Sequence, residues 1–188
     1  KILKKVKPSV IISAAKGDYN SLINSHDFII DYVNNNKCKI IFISSSSVFD
    51  GYKNYPNYEF DKTFSKSNFG YLKIKIENKL LKLDENKYVI IRLPFLAGMN
   101  SPHIKKIKNE VSLNVPIEVF PNLIINIINI KKITLFIHHI INKTYCGILQ
   151  LGRKDLLHHV AMINEIFKAL TLDTYKLKFV YTTNDNRY

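Results

Sequence analysis

The sequence contains little cysteine, and no part of it is apolar over a long stretch. Cys38 and Cys146 are the only cysteines in 188 residues, which excludes a disulfide scaffold and a zinc site built from cysteines. Isolated cysteines are typical of a reducing compartment, so we expect a cytoplasmic protein. The most apolar stretch, residues 123–130, is interrupted by Asn126 and Asn129. It is far shorter than the roughly 20 residues of a membrane-spanning helix, so we expect no membrane association.

Arginine is scarce although the chain is strongly basic. The formal net charge is +13, and 28 residues are lysine or arginine, a balance that by itself suggests nucleic acid as a partner. Only Arg92, Arg153 and Arg187 are arginines, and the lysines are spread along the whole chain. Proteins that bind bases or phosphates specifically favour the guanidinium group and concentrate their charge on one element. Specific nucleic-acid binding is therefore not expected.

Motifs for metals and for phosphates are also missing. His138-His139 and His158-His159 are adjacent pairs, and neighbouring residues of a helix point to different faces, so neither pair predicts a metal site. The six glycines are Gly17, Gly51, Gly70, Gly98, Gly147 and Gly152. No spacing among them gives G-x-G-x-x-G or another phosphate-binding loop. The chain therefore lacks the glycine-rich turn with which many α/β proteins hold a dinucleotide.

What the sequence does contain is an alternation of strand and helix signals. Short β-branched runs predict buried strands at residues 8–13, 39–44 and 88–93. Apolar residues at helical spacing predict one helix through residues 28–33, with a stop at the asparagines that follow, and another at residues 69–83. This order predicts an α/β fold in which a parallel sheet is flanked by helices.

In the second half of the chain the strand signals are shorter and less regular, which predicts a smaller lobe of mixed strands and helices. Its expected elements are strands at residues 115–119, 123–130 and 147–151 and helices at residues 131–142 and 157–170. We therefore divide the chain into residues 1–98, which hold the parallel sheet, and residues 99–188, which form the second lobe and return in part to the sheet.

Small and hydroxyl-bearing residues follow the predicted strands. In parallel α/β sheets, ligands bind beyond the carboxyl ends of the strands. Those ends are Ser13-Ala14-Ala15, the serines at 44–47 and residues 94–98. Small residues allow a cofactor to approach the backbone closely, and serine hydroxyls offer hydrogen bonds to it. Composition alone favours a simple turn as the interpretation of the serine run, with ligand binding as the alternative.

Four segments occur in an order that is informative as a set. They are P-S-V-I-I-S-A-A at 8–15, I-S-S-S-S-V-F-D-G at 43–51, F-G-Y-L-K at 69–73 with Glu77, and I-R-L-P-F-L-A-G at 91–98. Together they resemble the extended short-chain dehydrogenase/reductase superfamily, and within it the dTDP-4-dehydrorhamnose reductase family. V-F-D-G is the most specific segment, and the late G-I-L-Q-L-G at 147–152 extends the resemblance over essentially the whole chain.

The resemblance implies a Rossmann-type sheet that binds NADP or NAD and a smaller lobe that binds a nucleotide sugar. In the family the glycine-rich loop lies before the segment similar to residues 8–15. We therefore expect the first β-α units of the sheet to lie outside this chain. The implied reaction is the reduction of a dTDP-4-keto-6-deoxy sugar by NADPH or NADH, although epimerases and dehydratases share the same motifs.

The resemblance also implies roles for individual residues. A Ser/Thr, Tyr and Lys set carries the chemistry, in which the Tyr exchanges a proton with the substrate oxygen. The Ser/Thr position falls on Ser45, and the Lys position falls on Lys73, which also holds the nicotinamide ribose. The remaining implied contacts are Ser13, Ala14, Ala15 and Ser44 to the cofactor and Ser46 and Phe95 to the substrate.

The Tyr position falls on Phe69, unless Tyr71 and Lys75 form the pair that faces the sheet. At about 100° per helical residue, Phe69 lies on an apolar stripe with Lys73 at its border, whereas Tyr71 and Lys75 lie on the opposite, polar side. The stripe consists of Phe69, Leu72, Ile76, Leu80 and Leu83. A catalytic pair must face the sheet, so we assign the pair to Phe69 and Lys73.

Phenylalanine at this position has no proton to give. The register therefore predicts the loss of a general acid and base, a role that contributes about 10²- to 10⁴-fold to a rate. The competing hypothesis is a non-catalytic relative that keeps the fold as a binding or regulatory subunit. Without the resemblance, Lys73 would be interpreted as an ordinary lysine at the border of an amphipathic helix.

Several aromatic residues have more than one interpretation. Tyr52, Tyr55 and Tyr58 lie in the loop of residues 45–67, where they either stack on a nucleotide base or hold the loop in place. Phe95 either lines the sugar pocket or serves only packing. Whether the chain forms a homodimer is open.

The lack of a glycine-rich loop in this sequence leads to a prediction about its affinity for NADPH. We expect the 188-residue chain to bind NADPH weakly or not at all, because no backbone cradle for the pyrophosphate is present. Isothermal titration calorimetry measures this directly. A micromolar dissociation constant would contradict the prediction.

Overall fold

The structure is a computed structural model, and it describes residues 2–52, 56–98, 101–152, 155–172 and 175–181. The helices are α1 (Ile2–Val6), α2 (Tyr19–Asn35), α3 (Asn68–Leu80), α4 (Pro102–Ser112), α5 (Ile130–Asn142) and α6 (His159–Ala169). The first strands are β1 (Val10–Ser13), β2 (Lys39–Ser45), β3 (Tyr88–Leu93), β4 (Phe95–Ala97) and β5 (Ile117–Val119). The later strands are β6 (Ile124–Ile125), β7 (Ile127–Asn129), β8 (Gly147–Gln150), β9 (Leu157–His158) and β10 (Leu177–Phe179). Short 3-10 helices occur at Ser46–Phe49 and Glu85–Lys87.

A four-stranded sheet with the order β1-β2-β3-β8 is the centre of the fold. Every pairing in it is parallel, and the longest one joins β2 to β3 from Ile40 opposite Tyr88 to Ser45 opposite Leu93. Helices α2 and α3 connect β1 to β2 and β2 to β3. The α/β fold with a parallel sheet flanked by helices, expected from the sequence, is confirmed.

Alternate residues of the central strands form the core beneath α2 and α3. Ile40 and Phe42 of β2 and Ile90 of β3 are fully or almost fully buried and belong to one cluster with the helices. From α3 the cluster receives Leu72, Ile76 and Leu80, which recur at helical spacing. The apolar stripe predicted for this helix is therefore the face by which α3 packs on the sheet.

The chain divides into two compact units. The first consists of Lys1–Leu93 and Thr134–Leu151, and the second of Pro94–Ile133 and Gly152–Tyr188. The boundary that the sequence suggested after residue 98, and the cofactor and substrate roles of the two parts, stay predictions. Strand β8 belongs to the first unit, because it pairs with β3 in the sheet.

The second unit contains three two-stranded pairings and a core of its own. Strands β5 and β10 pair in parallel, as do β4 and β7, whereas β6 and β9 are antiparallel. The buried residues of one cluster in this core are Ile107, Ile117, Val119, Met162, Ile163 and Phe167.

Some elements of this unit differ from the sequence expectation. The single strand expected at 123–130 is instead two strands, β6 and β7. Strand β6 pairs with β9 and β7 pairs with β4. The change of partner occurs at Asn126, whose carbonyl accepts the backbone amide of Phe95 at 3.1 Å. The helix expected at 157–170 begins only at His159, after the two-residue strand β9. Helix α4 was not expected, although Ser101 caps it by accepting the amide of Ile104 at 3.3 Å.

None of the helices in the described part of the chain has the length and apolar character that crossing a membrane requires.

The buried His159 and the half-buried His103 make the stability of the second unit depend on pH. His159 is 1% exposed, and its Nδ1 accepts the amide of Phe120 at 3.2 Å, which requires that this nitrogen carries no proton. The ring of His103 lies 6.4 Å from that of His159. Burial lowers the pKa of each of the two histidines from 6.5 to about 4.

We expect the free energy of unfolding to fall as the pH drops from the unfolded pKa towards the folded one. Between these values the unfolded chain binds more protons, so each histidine contributes a slope of up to about 1.4 kcal/mol per pH unit. Urea denaturation at a series of pH values measures the slope, which we expect to be shallower in His159→Gln. The exposed His138→Gln serves as the control. Equal slopes in the natural protein and His159→Gln would contradict the prediction.

Candidate functional site

The residues that the sequence singled out lie mostly at one edge of the sheet. Because β1, β2 and β3 are parallel, Ser13, Ser45 and Leu93 mark the same, carboxyl edge. The chain that follows β2 forms the 3-10 helix Ser46–Phe49 and a long loop that leads to α3. Helix α3 then runs back beneath the sheet and supplies a lysine to this edge.

Lys73 is the lysine that faces the sheet. Its Nζ donates to the carbonyl of Ile43 at 2.9 Å. The same nitrogen lies 4.8 Å from the centre of the Phe42 ring and 5.4 Å from that of Phe69. Burial lowers the pKa of Lys73, and the nearby negative charge of Glu77 opposes this effect only in part.

Lys75 lies on a different surface of the same helix. Its side chain is exposed, and its Nζ is 5.4 Å from the ring of Tyr19 and 5.6 Å from that of Tyr71. Tyr71 itself is 52% exposed. Of the two Tyr/Phe-x-x-x-Lys pairs, the one formed by Phe69 and Lys73 is therefore next to the carboxyl edge of β2.

Phe69 is more exposed than its place on the apolar stripe suggested. It is 49% exposed, because it lies in the first turn of α3, ahead of Leu72, the first buried apolar side chain of the helix. Its ring contacts the Lys73 ammonium group, with 5.4 Å between the nitrogen and the ring centre. Its assignment to the Tyr position stays a prediction.

The start of α3 is held against the serine turn. Ser67 caps the helix by accepting the amide of Gly70 at 3.0 Å, and its hydroxyl donates to Asp50. Gly70 is required by close approach, since a Cβ at this position would collide with the backbone carbonyl oxygen of Ser47 and with Ser65. This contact fixes the distance between the helix that carries Lys73 and the turn that carries Ser45.

The serines after β2 form a capped turn. Ser45 accepts the amide of Ser47 at 3.1 Å, and its hydroxyl donates to that of Ser47, also at 3.1 Å. Ser45 is half-buried and Ser46 is exposed. Ser44 and Ser45 end β2, and Ser46 and Ser47 begin the 3-10 helix, so the Ser45 and Ser46 hydroxyls lie at the carboxyl edge.

The hydroxyl of Ser13 is already bonded inside the protein. It lies 2.8 Å from Nε2 of His26, whose Nδ1 lies 2.7 Å from the carbonyl of Leu22. A carbonyl can only accept, so Nδ1 carries the proton and Ser13 donates to Nε2. Burial lowers the pKa of His26, in agreement with a neutral ring. Ala14 and Ala15 are exposed, so at the end of β1 a ligand meets backbone and methyl groups.

Ser44 lies on the face of β2 that packs against α3, the face opposite to Ser45, and it belongs to a buried charge cluster. Its hydroxyl donates to Glu77, and Nη2 of Arg92 donates to the other carboxylate oxygen of Glu77 at 2.8 Å. Glu77 is 1% exposed and Arg92 is 2% exposed. The sequence motifs contained both residues, but no sequence pattern indicated that they form a pair. The predicted contact of Ser44 with a cofactor stays untested, and its hydroxyl is engaged within the protein.

Arg92 also holds the loop that lies over this edge. Its Nη1 donates to the carbonyl of Glu59 at 3.1 Å, and its guanidinium carbon lies 4.9 Å from the centre of the Phe49 ring. The backbone amide of Gln150 in β8 donates to the Glu59 carboxylate at 3.1 Å, and its side-chain amide donates to the carbonyl of Asn57 at 2.7 Å. The backbone of residues 57–59 is thus attached to two strands of the sheet.

The tyrosines of the loop have different surroundings. The hydroxyl of Tyr52 donates to the carbonyl of Lys62 at 2.7 Å, and its ring lies 5.6 Å from that of Phe64, so this residue holds the loop together. Tyr58 is 60% exposed and is open to a ligand. Tyr55 lies outside the described residues.

Phe95 belongs to the second unit. It begins β4, is half-buried and meets His103 edge-on at 4.8 Å between ring centres. Its predicted contact with substrate therefore stays a prediction, and the observed contacts are packing contacts.

The described edge fits one end of a nicotinamide cofactor better than the other. Lys73 supplies N–H donors near the end of β2, which a ribose hydroxyl can accept, and the exposed Ala14 and Ala15 leave room next to the backbone at the end of β1. The sequence offers no glycine-rich loop for the pyrophosphate. Within the described ranges, no group of three or more His, Cys, Asp or Glu side chains is placed to hold a metal ion.

Comparison with solved structures shows what this arrangement is similar to. A dTDP-4-dehydrorhamnose reductase from Clostridium acetobutylicum superposes with a TM-score of 0.78 at 21% identity, over 96% of this chain and 68% of that one. A dTDP-4-dehydrorhamnose reductase from Bacillus anthracis in complex with NADP gives 0.75 at 18% identity, over 96% and 69%. A UDP-N-acetylglucosamine 4-epimerase from Methanobrevibacter ruminantium in complex with UDP-N-acetylmuramic acid gives 0.77 at 19% identity, over 95% and 66%.

These likenesses show the fold. The chain spans about two thirds of the length of each of these proteins, and the resemblance drawn from the sequence motifs is confirmed at the level of the fold. The sequence matches no protein-family model and no curated protein sequence.

The buried charge cluster of Glu77, Arg92 and Ser44 should stabilise the folded protein, and a substitution tests this. We expect Glu77→Gln to lower the free energy of unfolding by about 3–5 kcal/mol, because it leaves the Arg92 guanidinium buried without its counter-charge. Urea denaturation monitored by circular dichroism measures the loss.

A second ion pair of α3 provides the matched control. Lys79 bonds to Asp27 with side chains 34% and 50% exposed, and an exposed pair of this kind contributes about 0–1 kcal/mol. Asp27→Asn should therefore have a small effect. If Glu77→Gln and Asp27→Asn lower the free energy of unfolding by similar amounts, the buried pair stabilises the protein no more than the exposed pair does, which contradicts the prediction.

Proposed function

We propose that this protein is a reductase-like protein of sugar-nucleotide metabolism, which acts on a dTDP-4-keto-6-deoxy sugar with NADPH or NADH. The observation that carries the proposal is the place of Lys73, which reaches the carboxyl end of β2 beside the serine turn in a fold shared with dTDP-4-dehydrorhamnose reductases. Ligands of parallel sheets bind at this edge.

The proposed roles follow from what each side chain offers. Lys73 binds the hydroxyl groups of the nicotinamide ribose, and Ser45 donates to the substrate carbonyl oxygen and orients it. Ser46 offers a second hydroxyl to the sugar, and Phe95 supplies an apolar surface to it. The cofactor, when bound, supplies the hydride.

The cofactor contacts proposed for the other strand ends are of two kinds. Ala14 and Ala15 allow close approach to the backbone, whereas Ser13 and Ser44 hold the strand ends through their bonds to His26 and Glu77. We also propose a cytoplasmic location, since Cys38 and Cys146 are both free thiols.

Phe69 favours a second candidate function. A phenyl ring at the Tyr position can cover the Lys73 ammonium but cannot transfer a proton. This observation supports a binding or regulatory subunit that keeps the reductase fold and recognises a nucleotide sugar without converting it.

Phe69→Tyr separates the two candidates. If the protein is a reductase limited only by its missing phenol, turnover of a dTDP-4-keto-6-deoxy sugar should rise by about 10²- to 10⁴-fold in the variant. The loss of NADPH absorbance measures turnover, and the NADPH concentration is raised into the millimolar range because we expect this chain to bind NADPH weakly. Tyr71→Phe, on the exposed side of the same helix, is the matched control and should leave the rate unchanged.

The other outcomes are equally informative. Rapid turnover by the natural protein would remove the binding-subunit candidate. Calorimetric binding of the sugar nucleotide, with no turnover in either form, would support it. If the natural protein and Phe69→Tyr both fail to bind the sugar nucleotide and both fail to turn it over, the proposed function is overturned.

A further inference from the structure

An open cavity of about 510 Å³ lies at the amino edge of the sheet, opposite to the candidate site. It belongs wholly to the first unit and is formed where α2 leads into β2 and where the chain enters β3. Sites for small organic molecules typically have volumes of roughly 300–1,000 Å³. The lining residues that determine its chemistry are Asn34, Asn35, Asn36, Lys37, Lys39 and Lys87.

Strand register brings the lysines of this cavity together. Ile40 of β2 lies opposite Tyr88 of β3, so Lys39 and Lys87 occupy the positions just before this pair on neighbouring segments of the chain. Lys37 belongs to the turn that leads into β2. The cavity therefore collects three positive charges from two distant parts of the chain, and no pattern in the sequence indicates this.

Two of the ammonium groups are held in place by backbone carbonyls. Nζ of Lys39 donates to the carbonyl of Tyr145 at 2.7 Å. Nζ of Lys87 donates to the carbonyl of Val33 at 3.3 Å and to that of Asn34. A lysine ammonium has three N–H donors, so each of the two groups keeps at least one donor for a ligand.

These positive charges have no counter-charge among the described residues. No ion pair of the described chain includes Lys37, Lys39 or Lys87, and the lining residues that the structure describes include no Asp or Glu. Positive charges held close together repel each other. An anion bound between them relieves this repulsion, and ammonium groups bind phosphate groups as point charges.

The asparagines of the cavity offer acceptors. Nδ2 of Asn35 donates to the carbonyl of Asp31 at 2.9 Å and to its carboxylate at 3.0 Å. Nδ2 of Asn36 donates to the carbonyl of Tyr32 at 2.8 Å. These bonds direct amide hydrogens back to α2 and leave the two Oδ1 atoms as acceptors. Such acceptors suit the hydroxyl groups of an organic molecule, whereas they do not suit phosphate oxygens.

We propose that this cavity is a second binding site, which takes a nucleoside diphosphate. The ammonium groups of Lys39 and Lys87 bind the phosphate oxygens, Lys37 adds a third positive charge, and the oxygens of Asn35 and Asn36 accept hydrogen bonds from the ribose hydroxyls. A terminal phosphate distinguishes this ligand from NADPH, whose diphosphate is esterified at both ends and bears less charge. The length of the sheet strands separates this site from the carboxyl edge, so the proposal goes beyond the proposed reductase function.

Isothermal titration calorimetry with ADP tests the proposal on the natural 188-residue chain. At about 0.15 M salt, where distant surface charges are largely screened, we expect one ADP to bind per chain. Inorganic pyrophosphate should bind severalfold more weakly, because it makes no use of the asparagine oxygens. Neither NADPH nor a sugar nucleotide is present in the titration.

Two charge-matched double variants locate the site. Lys39→Gln with Lys87→Gln should weaken ADP binding at least about tenfold, the change that the loss of one hydrogen bond to a charged group makes. Lys105→Gln with Lys108→Gln is the control, since it removes the same charge from exposed positions of α4 outside the cavity. The control should leave the affinity nearly unchanged.

A single variant tests the site without disturbing the end of α2. Circular dichroism verifies the fold of the Lys39 and Lys87 double variant, because Lys87 also bonds to the last carbonyls of that helix. Lys37→Gln changes an exposed side chain and should weaken ADP binding severalfold in a protein of natural stability.

Four results would overturn the proposal. The first is a natural chain that does not bind ADP, and the second is pyrophosphate that binds as tightly as ADP. The third is equal weakening by the cavity variants and the control, which would assign the binding to net charge. The fourth is a loss of binding in Lys73→Gln without a loss in the cavity variants, which would place ADP at the carboxyl edge. Turnover of a sugar nucleotide is measured separately, so a failure of either proposal is distinguishable from a failure of the other.

Discussion

The ion pair between Glu77 and Arg92 supports the whole candidate site. With exposures of 1% and 2%, these charges lie in surroundings where an unpaired charge is costly, so the position of either residue requires the other. Glu77 belongs to α3, Arg92 to β3, and Ser44 of β2 adds a third element to the cluster. The pair therefore fixes the rotation of the helix against the sheet, and that rotation directs Lys73, one turn earlier, to the end of β2.

Arg92 connects this buried cluster with the surface above it. One side of its guanidinium group meets Glu77, and another donates to the backbone of residue 59. The loop that carries the exposed Tyr58 and the helix that carries Lys73 thus share one support. Phe69 lies on the same helix, and its phenyl ring offers this edge an apolar surface and no transferable proton.

The parts that the sequence predicted are those that depend on local pattern. Continuous β-branched runs indicated β1, β2 and β3, and helical spacing indicated the face of α3 that packs on the sheet, because burial of a strand or helix face leaves a periodic trace. Helix α4 was missed, since only Ile104, Ile107 and Val111 are apolar among many polar residues. The pair of Glu77 with Arg92 has no periodic trace either, because it joins distant parts of the chain. The opposite directions of Ser44 and Ser45 follow from strand alternation, which the motif comparison did not use.

The order of strands in the sheet has a consequence for synthesis on the ribosome. Strand β8 pairs with β3, although the segment Pro94–Ile133 of the second unit is made between them. Within the described chain, the side of the nascent sheet along β3 therefore stays without a neighbour until residues 147–150 leave the tunnel. Pairings between strands so far apart in the chain form slowly. The backbone groups along that edge of β3 are thus open to pairing with another strand during translation.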